Sequence, residues 1–289
     1  MKRKTYLIIS LLIALVFLSG CGQSEKFDSS NDITIVSREE GSGTRGAFVE
    51  LLNVVQKKKN KDIDMITLEA QITNSTAVTM TTVAEDEYAI GYISLGSMNS
   101  QVKALEVDGV PISEANIVSG DYKISRPFNI VTKEGTENPA REDFIRFVLS
   151  EQGQKVVGEA GYIPLKDTVP YKPQTVKGKV VVGGSSSVAP VMEKMIEAYQ
   201  RVNKGAQVEL QATDSTTGAT AVTEGGYDIG MLSREVKDSE KKQGLVPQVM
   251  AIDGIAIIVN QLNDIDGLSS DAIREVYLGN DLTWDEVMK

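Results

Sequence analysis

The sequence contains no histidine and only one cysteine among its 289 residues. The lack of histidine excludes His-based catalytic triads, His metal sites and a histidine pH switch. Basic residues are in the minority, since 30 lysines and arginines face 40 aspartates and glutamates, for a formal net charge of -10. Because affinity for nucleic acid rests largely on neutralising phosphates, we expect no nucleic-acid partner. The negative charge does not steer anions either, so an anion site here must work through local hydrogen bonds.

Long apolar runs are also scarce, and the longest lies at the start of the chain. Residues 5–17, TYLIISLLIALVF, follow the basic start MKRK and fall short of the roughly 20 residues that a membrane span needs. The run ends in LSGC, which resembles a bacterial lipobox, where the chain is cut before the cysteine and the thiol is lipidated. We therefore expect a signal peptide over residues 1–20, lipidation of Cys21 and a flexible, lipid-anchored spacer over residues 21–31. The protein would then stand outside the cytoplasmic membrane of a Gram-positive-type bacterium; the alternative is a signal anchor or a buried free cysteine.

From residue 32 onward, strand-like segments alternate with segments of helical periodicity. This alternation predicts βα units and an α/β fold with largely parallel sheets. Residues 74–86 predict a helix capped by Asn74 or Ser75, and residues 141–161 predict one amphipathic helix. The polar run Lys166–Lys179, with two prolines, is the best candidate for an internal linker.

Three polar loops stand where a predicted strand meets a predicted helix. Residues 37–48 read SREEGSGTRGAF, residues 183–190 read GGSSSVAP, and residues 213–220 read TDSTTGAT. Helix N-termini at the carboxyl ends of parallel strands gather free N–H groups, and glycine lets a ligand approach the backbone closely. Hydroxyl groups and the fork-shaped donors of Arg38 and Arg45 would complete an anion cradle. The alternative at each loop is ordinary helix capping.

Several stretches of the chain resemble the phosphate-binding proteins of the bacterial high-affinity phosphate ABC importer. They are SREEGSGTR, GGSSSVAP, YDIGMLSRE, AIDGIAIIVN, AIGYISLG and SEQGQKVVGEAGYIPL, and the resemblance covers nearly all of the mature chain. It implies a two-lobed periplasmic-binding-protein fold of type II, a Venus flytrap in which each lobe is a mostly parallel sheet flanked by helices. One lobe would comprise residues 32–124 plus 260–289 and carry the GSGTR loop. The other would comprise residues 125–259 and carry the GGSSSVAP loop.

The two halves of the chain stand in the opposite order to that family. The family has the GGSSSVAP half first and the SREEGSGTR half second, whereas here the SREEGSGTR half leads. The simplest explanation is a circular permutation in which the old ends are joined through Lys166–Lys179. The alternative is a chain fused or misassembled from two gene fragments.

The resemblance also implies which residues hold the ligand. They are Ser186, Ser187 and Ser215 in one lobe, and Arg38, Ser42, Gly43 and Thr44 in the other. Phosphate at neutral pH still carries a proton, so a selective site needs an acceptor for it, and some family members have an aspartate at the position of Ser233. Here Asp228, Asp214 or Ser233 itself remains as the acceptor. For Asp228 the alternative is a structural residue at a strand start.

The function implied by the resemblance is that of a solute-binding lipoprotein, not an enzyme. Phosphate would be captured between the lobes, the crossovers near residues 125–133 and 251–260 would flex, and the closed protein would deliver its ligand to membrane permease subunits. The implied protein is a monomer that needs no cofactor and no metal. The alternatives are a binder of another tetrahedral oxyanion, a phosphate-sensing surface protein, and a serine phosphatase or hydrolase. The hydrolase reading lacks a histidine, a Ser-x-x-Lys arrangement at these loops and a G-x-S-x-G elbow.

Overall fold

The structure, a computed structural model, describes residues 27–58, 61–280 and 282–288. The predicted signal peptide, the predicted lipidation site Cys21 and the first part of the spacer lie outside the described residues. In the part of the chain that the structure describes, no helix has the length and apolar character required to cross a membrane.

Strands and helices alternate through most of the chain, as the sequence pattern predicts. The strands are β1 (Thr34–Arg38), β2 (Val55–Lys58), β3 (Lys61–Asp64), β4 (Gln71–Thr73), β5 (Ala89–Ser94), β6 (Val102–Ala104), β7 (Glu106–Val107), β8 (Ser125–Lys133), β9 (Gly178–Ser185), β10 (Ala206–Thr213), β11 (Ile229–Leu232), β12 (Leu245–Asn260) and β13 (Gly267–Leu268). The helices are α1 (Gly43–Leu51), α2 (Thr76–Glu85), α3 (Glu114–Ser119), α4 (Pro139–Val148), α5 (Glu151–Glu159), α6 (Ala189–Val202), α7 (Ser215–Thr223), α8 (Asp238–Lys242), α9 (Ser270–Leu278) and α10 (Trp284–Val287).

One nine-stranded sheet runs through both halves of the molecule. Its order is β10-β9-β11-β8-β12-β5-β1-β4, with β6 also paired to β12. β9 pairs in parallel with β10 and β11, and β1 pairs in parallel with β4 and β5. The pairs between β11, β8, β12, β5 and β6 are antiparallel. The sheet is therefore mixed, and the predicted parallel pairing occupies the two ends that carry the polar loops.

The long strand β12 belongs to both halves of this sheet. Its residues Leu245–Gly254 pair with β8, whereas Ile255–Asn260 pair with β5 and β6. The partner of β12 changes after Gly254, where an added Cβ would lie 2.6 Å from the side chain of Ile117. This change comes before the boundary that the sequence predicts between residues 259 and 260.

Apolar side chains form a separate core on each side of this change. One core draws on residues 27–124 and 255–287 together with Ile163, and we call this part lobe 1. The other draws on residues 128–251, and we call it lobe 2. The chain passes from lobe 1 to lobe 2 through β8 and returns through β12. The molecule thus has the predicted two-lobed α/β fold.

A buried ion pair ties β8 to β12 where the chain crosses between the lobes. Arg126 and Asp253 are opposite each other in the strand register, and Arg126 Nη2 lies 3.1 Å from Asp253 Oδ2. The hydroxyl of Ser94 in lobe 1 donates to Asp253 Oδ1 at 2.8 Å. Burial raises the pKa of Asp253 to about 6, and Arg126 Nη1 has no hydrogen-bond partner among the described residues. The crossing point therefore holds two charges that tolerate burial only as a pair.

Residues 139–159 form two helices where the sequence predicts one. α4 ends at Val148 and α5 begins at Glu151. Ser150 makes the break, since its hydroxyl donates to Phe147 O at 2.7 Å and accepts from the Gly153 N–H at 3.2 Å. The single helix predicted over residues 141–161 is wrong, because a serine N-cap competes with continuation of the helix.

The predicted linker is held firmly against lobe 2. It has no regular secondary structure until β9 begins at Gly178. The Tyr171 N–H donates to Gln152 Oε1 at 2.7 Å, and the Tyr171 hydroxyl donates to Asp143 Oδ2 at 2.7 Å. The segment is therefore irregular but anchored, and its role in joining two former chain ends stays a prediction.

The first and last described residues lie side by side in lobe 1. Asp32 forms an antiparallel bridge with Thr283, and the rings of Phe27 and Trp284 meet edge to face at 5.9 Å. A circular permutation with its new ends at this place stays a prediction, and adjacent ends are what it requires.

Candidate anion-binding site

The polar loops meet between the lobes, because they follow the carboxyl ends of parallel strands. Arg38 is the last residue of β1, and Ser185 is the last residue of β9. Ser215 opens α7 after β10, and Ser233 directly follows β11. Three strand ends of lobe 2 therefore stand opposite the end of β1 in lobe 1.

Lobe 1 contributes the start of helix α1. Ser42 is its N-cap and accepts a hydrogen bond from the Arg45 N–H at 3.3 Å. Gly43 and Thr44 form the first turn and are buried, as is Ser42. The first turn of a helix leaves backbone N–H groups without helical partners, so these residues can donate to an anion.

Arg38 is the buried cation of the site, with only 2% of its surface exposed. The Glu39 carboxylate binds one edge of its guanidinium, accepting from Nε at 2.8 Å and from Nη2 at 2.7 Å. Nη2 also donates to Ser186 Oγ of lobe 2 at 3.2 Å, and Nη1 donates to Thr76 Oγ1 at 3.4 Å. Glu39 therefore fixes the guanidinium plane so that its terminal nitrogens reach the opposite lobe.

The backbone of Arg38 is positioned by Tyr92. The Tyr92 hydroxyl accepts from the Arg38 N–H at 3.2 Å and lies 2.7 Å from Ser37 Oγ. Its ring stacks on Phe48 of α1, with the centroids 4.0 Å apart. Burial raises the pKa of Tyr92 to about 12, so the phenol stays neutral at physiological pH. Tyr92 thus holds β1 and α1 in a fixed relation.

Lobe 2 contributes a network of buried serine hydroxyls. Ser185 Oγ accepts from the Ser187 N–H at 3.3 Å and donates to Ser233 Oγ at 2.9 Å. Ser215 Oγ accepts from the Ser233 N–H at 3.1 Å. These four serines are at most 3% exposed. Three loops that are distant in the sequence are therefore joined into one polar surface.

The two lobes touch each other through these groups. Thr44 Oγ1 of lobe 1 lies 2.8 Å from Ser187 Oγ of lobe 2. Gly43 packs so closely against lobe 2 that an added Cβ would overlap the Ser215 hydroxyl and lie 2.7 Å from Ser233 Oγ. The structure therefore has the lobes closed on each other at the site.

The structure brings most of the predicted contact residues together. They are Arg38, Ser42, Gly43, Thr44, Ser186, Ser187, Ser215 and Ser233. Asp228 is not among them, because it precedes β11 whereas Ser233 follows it. Its carboxylate accepts from the Asn138 side chain at 3.0 Å and from the Val181 N–H at 2.8 Å. The structure does not support a ligand contact by Asp228, which has the alternative role of a structural residue at a strand start.

The other candidate carboxylate, Asp214, is engaged as a helix cap. It is the N-cap of α7 and accepts from the Thr216 and Thr217 N–H groups at 2.8 and 2.9 Å. In the described ranges of the chain, no group of three or more His, Cys, Asp or Glu side chains is arranged to hold a metal ion. The site is thus built of hydroxyls, N–H groups and Arg38.

Sequence reasoning missed two residues of this arrangement. Glu39 binds the guanidinium of Arg38, and its position directly after Arg38 in the sequence could have predicted this ion pair. Thr76, the first residue of α2, accepts from Arg38 and reaches lobe 2. The only signal for Thr76 was the predicted helix start, where Ser75 is confirmed as the N-cap.

Comparisons with known proteins match this chain along nearly its whole length. The PBP superfamily domain matches residues 23–152 and 169–288. The phosphate-binding protein PstS 2 of Streptococcus agalactiae serotype V is 48% identical over 289 residues, which cover 100% of this chain and 99% of that protein. The phosphate-binding protein PstS 2 of Streptococcus pneumoniae serotype 4 is 41% identical over 286 residues, covering 96% of this chain and 98% of that protein. A crystal structure of a phosphate-binding protein of a phosphate ABC transporter from Streptococcus pneumoniae TIGR4 has a TM-score of 0.71 at 41% identity, covering 89% of this chain and 100% of that chain.

Both relatives share the order of the two halves, because each alignment runs along nearly the full length of both proteins. The order is therefore not an assembly error peculiar to this sequence, and its origin by circular permutation stays a prediction. The superfamily match, the full-length relatives and the solved structure agree with the two-lobed fold. The chain belongs to the PBP superfamily and, within it, to the family of the phosphate-binding proteins PstS 2.

Proposed function

We propose that this protein captures inorganic phosphate between its two lobes and delivers it to the permease subunits of an ABC transporter. The observation that carries the proposal is the set of buried donors around Arg38, to which both lobes contribute. The names of the relatives, phosphate-binding proteins and a binding protein of a phosphate ABC transporter, support the same ligand and partner.

The donor set suits a small tetrahedral oxyanion. Arg38 offers terminal N–H groups, α1 offers the backbone N–H groups of its first turn, and lobe 2 offers serine hydroxyls. Donors thus approach from two opposing sides, as an anion with four oxygens requires. Each charge-assisted hydrogen bond contributes about 1.5–3 kcal/mol net, so a few of them account for tight binding. Closure removes water from the anion and strengthens these bonds further.

Binding rather than catalysis is part of this proposal. Among the described residues, no carboxylate is hydrogen-bonded to the hydroxyl of Ser186, Ser187, Ser215 or Ser233. A serine nucleophile needs an adjacent base to take its proton, and the sequence offers no histidine for that role. The transport energy would come from the ATPase of the transporter.

Selectivity against sulfate would depend on Ser233. Its hydroxyl can accept the remaining proton of phosphate, but it can also donate to sulfate, which carries no proton at neutral pH. A carboxylate acceptor would repel sulfate, whereas a neutral hydroxyl would not. We therefore propose that Ser233, which replaces the aspartate of other family members, favours phosphate only by accepting its proton.

We also propose that the protein works outside the cytoplasmic membrane. Lipidation of Cys21 would tether the chain outside the cytoplasmic membrane, with residues 21–31 as the spacer. A monomer is sufficient, because both sides of the cleft come from one chain.

Titration calorimetry tests the proposed function directly. The chain lacking residues 1–21, purified free of phosphate, should release heat on titration with phosphate and much less on titration with sulfate. Heat from neither anion would contradict the phosphate assignment. Equal affinity for both would contradict the role of Ser233, and hydrolysis of a phosphoester would contradict a pure binding function.

Replacing Gly43 by alanine should weaken phosphate binding by about tenfold to a hundredfold, because overpacking costs roughly 1–3 kcal/mol. The added methyl group would overlap the Ser215 hydroxyl only when the lobes are closed. The thermal midpoint without phosphate should therefore change little. Calorimetry and a thermal melt on the same sample measure both quantities.

Gly46 provides the matched control for this substitution. It lies in the same helix, is exposed, and an added Cβ would lie 3.7 Å from Arg234 Cδ, an ordinary contact. Gly46→Ala should leave affinity unchanged and raise stability by about 0.5–1 kcal/mol. An equal loss of affinity in both variants would show that helix α1, and not the contact at Gly43, is responsible.

A further inference from the structure

Thr76 takes part in the interlobe contact although neither the loops nor the resemblance points to it. It is the first residue of α2, directly after the N-cap Ser75, and only 4% of its surface is exposed. It belongs to lobe 1, so its contacts with lobe 2 depend on closure.

Four interactions place Thr76 at the centre of the closed site. Its Oγ1 lies 2.9 Å from Ser187 Oγ and 3.4 Å from Ser186 Oγ, and its backbone N–H donates to Ser186 Oγ at 3.3 Å. Arg38 Nη1 donates to the same Oγ1 at 3.4 Å. Thr76 thus touches the buried cation of lobe 1 and two serines of lobe 2.

These contacts allow a chain of hydroxyl groups that runs in one direction. Arg38 can only donate, so Thr76 Oγ1 accepts from it, and the proton of Thr76 can be donated to Ser187 Oγ at 2.9 Å or to Ser186 Oγ at 3.4 Å. When Ser187 accepts from Thr76, it can donate to Thr44 Oγ1, which lies 2.8 Å away. Thr44 is left with its proton free to point at an anion. Hydrogen bonds in such a chain polarise one another and strengthen together.

We propose that Thr76 is a positioning residue for phosphate, which both latches lobe 1 to lobe 2 and, through the hydroxyl of Ser187, aligns the hydroxyl of Thr44 as a donor. This inference rests on the proposed function. Without the Thr76 hydroxyl, Ser187 would lose its orienting partner and the closed state would lose a direct bond across the cleft. Phosphate should then dissociate faster.

The test compares Thr76→Val, which removes the hydroxyl at nearly constant shape, with Thr76→Ser, which keeps it. Thr76→Val should weaken phosphate binding by about tenfold to a hundredfold, mostly through a faster dissociation rate. Thr76→Ser should stay within about threefold of the unmodified protein. Stopped-flow fluorescence of an attached dye follows dissociation, and calorimetry gives the affinity.

Thr79→Val is the matched control on the same helix. Thr79 is fully buried, and its hydroxyl bonds only within lobe 1, to Ser75 O at 3.1 Å and Thr73 Oγ1 at 2.7 Å. This variant should melt at a lower temperature but bind phosphate normally.

The other possible outcomes distinguish a failure of the proposed function from a failure of the role assigned to Thr76. If the unmodified chain does not bind phosphate, the proposed function fails. If it binds and Thr76→Val binds equally well, or if Thr76→Ser is as weak as Thr76→Val, the role of the Thr76 hydroxyl is overturned. Equal losses in Thr76→Val and Thr79→Val would reduce Thr76 to a structural role. Should Thr76→Val fail to fold, Thr76→Ala replaces it in the same comparison.

Discussion

Replacing Arg38 by alanine should weaken phosphate binding by more than about a hundredfold. The guanidinium is the only cation bonded to both sides of the cleft among the described residues, through Ser186 and Thr76. Loss of two charge-assisted hydrogen bonds at about 1.5–3 kcal/mol each accounts for at least this factor. The substitution also leaves the carboxylate of Glu39, which is 24% exposed, without its guanidinium partner beside the site. Calorimetric titration with phosphate measures the loss.

Two further variants separate the charge of Arg38 from its shape and from general effects of losing an arginine. Arg38→Lys keeps a positive charge but cannot bind Glu39 and the opposite lobe at once. Its affinity for phosphate should therefore lie between that of the unmodified protein and that of Arg38→Ala. Arg141→Ala removes an arginine that is 4% exposed and bonded to Thr136 within lobe 2. Normal phosphate binding by Arg38→Ala, or a loss of the same size in Arg141→Ala, would contradict the central role of Arg38.

Replacing Arg126 by methionine should lower the free energy of unfolding by about 3–5 kcal/mol at pH 8, because it leaves the Asp253 charge buried without a partner. The deficit should shrink in acid. The folded-state pKa of Asp253 already lies above its ordinary value, at about 6, so its contribution to stability is present at low pH and is lost as the pH rises through about 6. Without Arg126 that pKa rises further, and the loss extends to higher pH. Urea unfolding at pH 5 and pH 8 measures both deficits.

Two controls accompany the Arg126→Met variant: one breaks an exposed ion pair, and the other removes both charges of the buried pair. Lys103→Met breaks a surface pair with Asp266, which is 96% exposed, and should change stability by at most about 1 kcal/mol. The double variant Arg126→Met with Asp253→Leu should recover most of the loss, since no charge is then left in the crossing point. A deficit in Arg126→Met that is equal at both pH values would contradict an ionised Asp253.

The loops that form the site could be predicted because local chemistry determines them. Serine or threonine beside glycine, placed after a strand and before a helix, gives the same cap and the same free N–H groups in any α/β context. Arg38 and Ser42 were therefore singled out from local chemistry, whereas Ser215 came from the resemblance, and the structure places all three where the lobes meet.

The wrong predictions concern residues whose place depends on the direction of a strand or on contacts with residues far away in the sequence. Asp228 and Ser233 belong to one sequence motif, but the intervening strand β11 carries them to opposite ends. Ser150 reads as a helix residue until its hydroxyl is seen to cap the next helix. Thr76 reads as a helix start, and only closure of the lobes brings it to Ser187. The apolar run of β12 gives no sign that its partner strand changes at Gly254.

The placement of both chain ends in lobe 1 has a mechanical consequence. A pull transmitted through residue 27 or residue 288 acts on one core, because Phe27, Trp284 and Val287 pack in it together. Lobe 2 is joined to lobe 1 through two adjacent antiparallel strands, β8 and β12. A force applied at residue 27 or residue 288 therefore reaches lobe 2 only through those two strands.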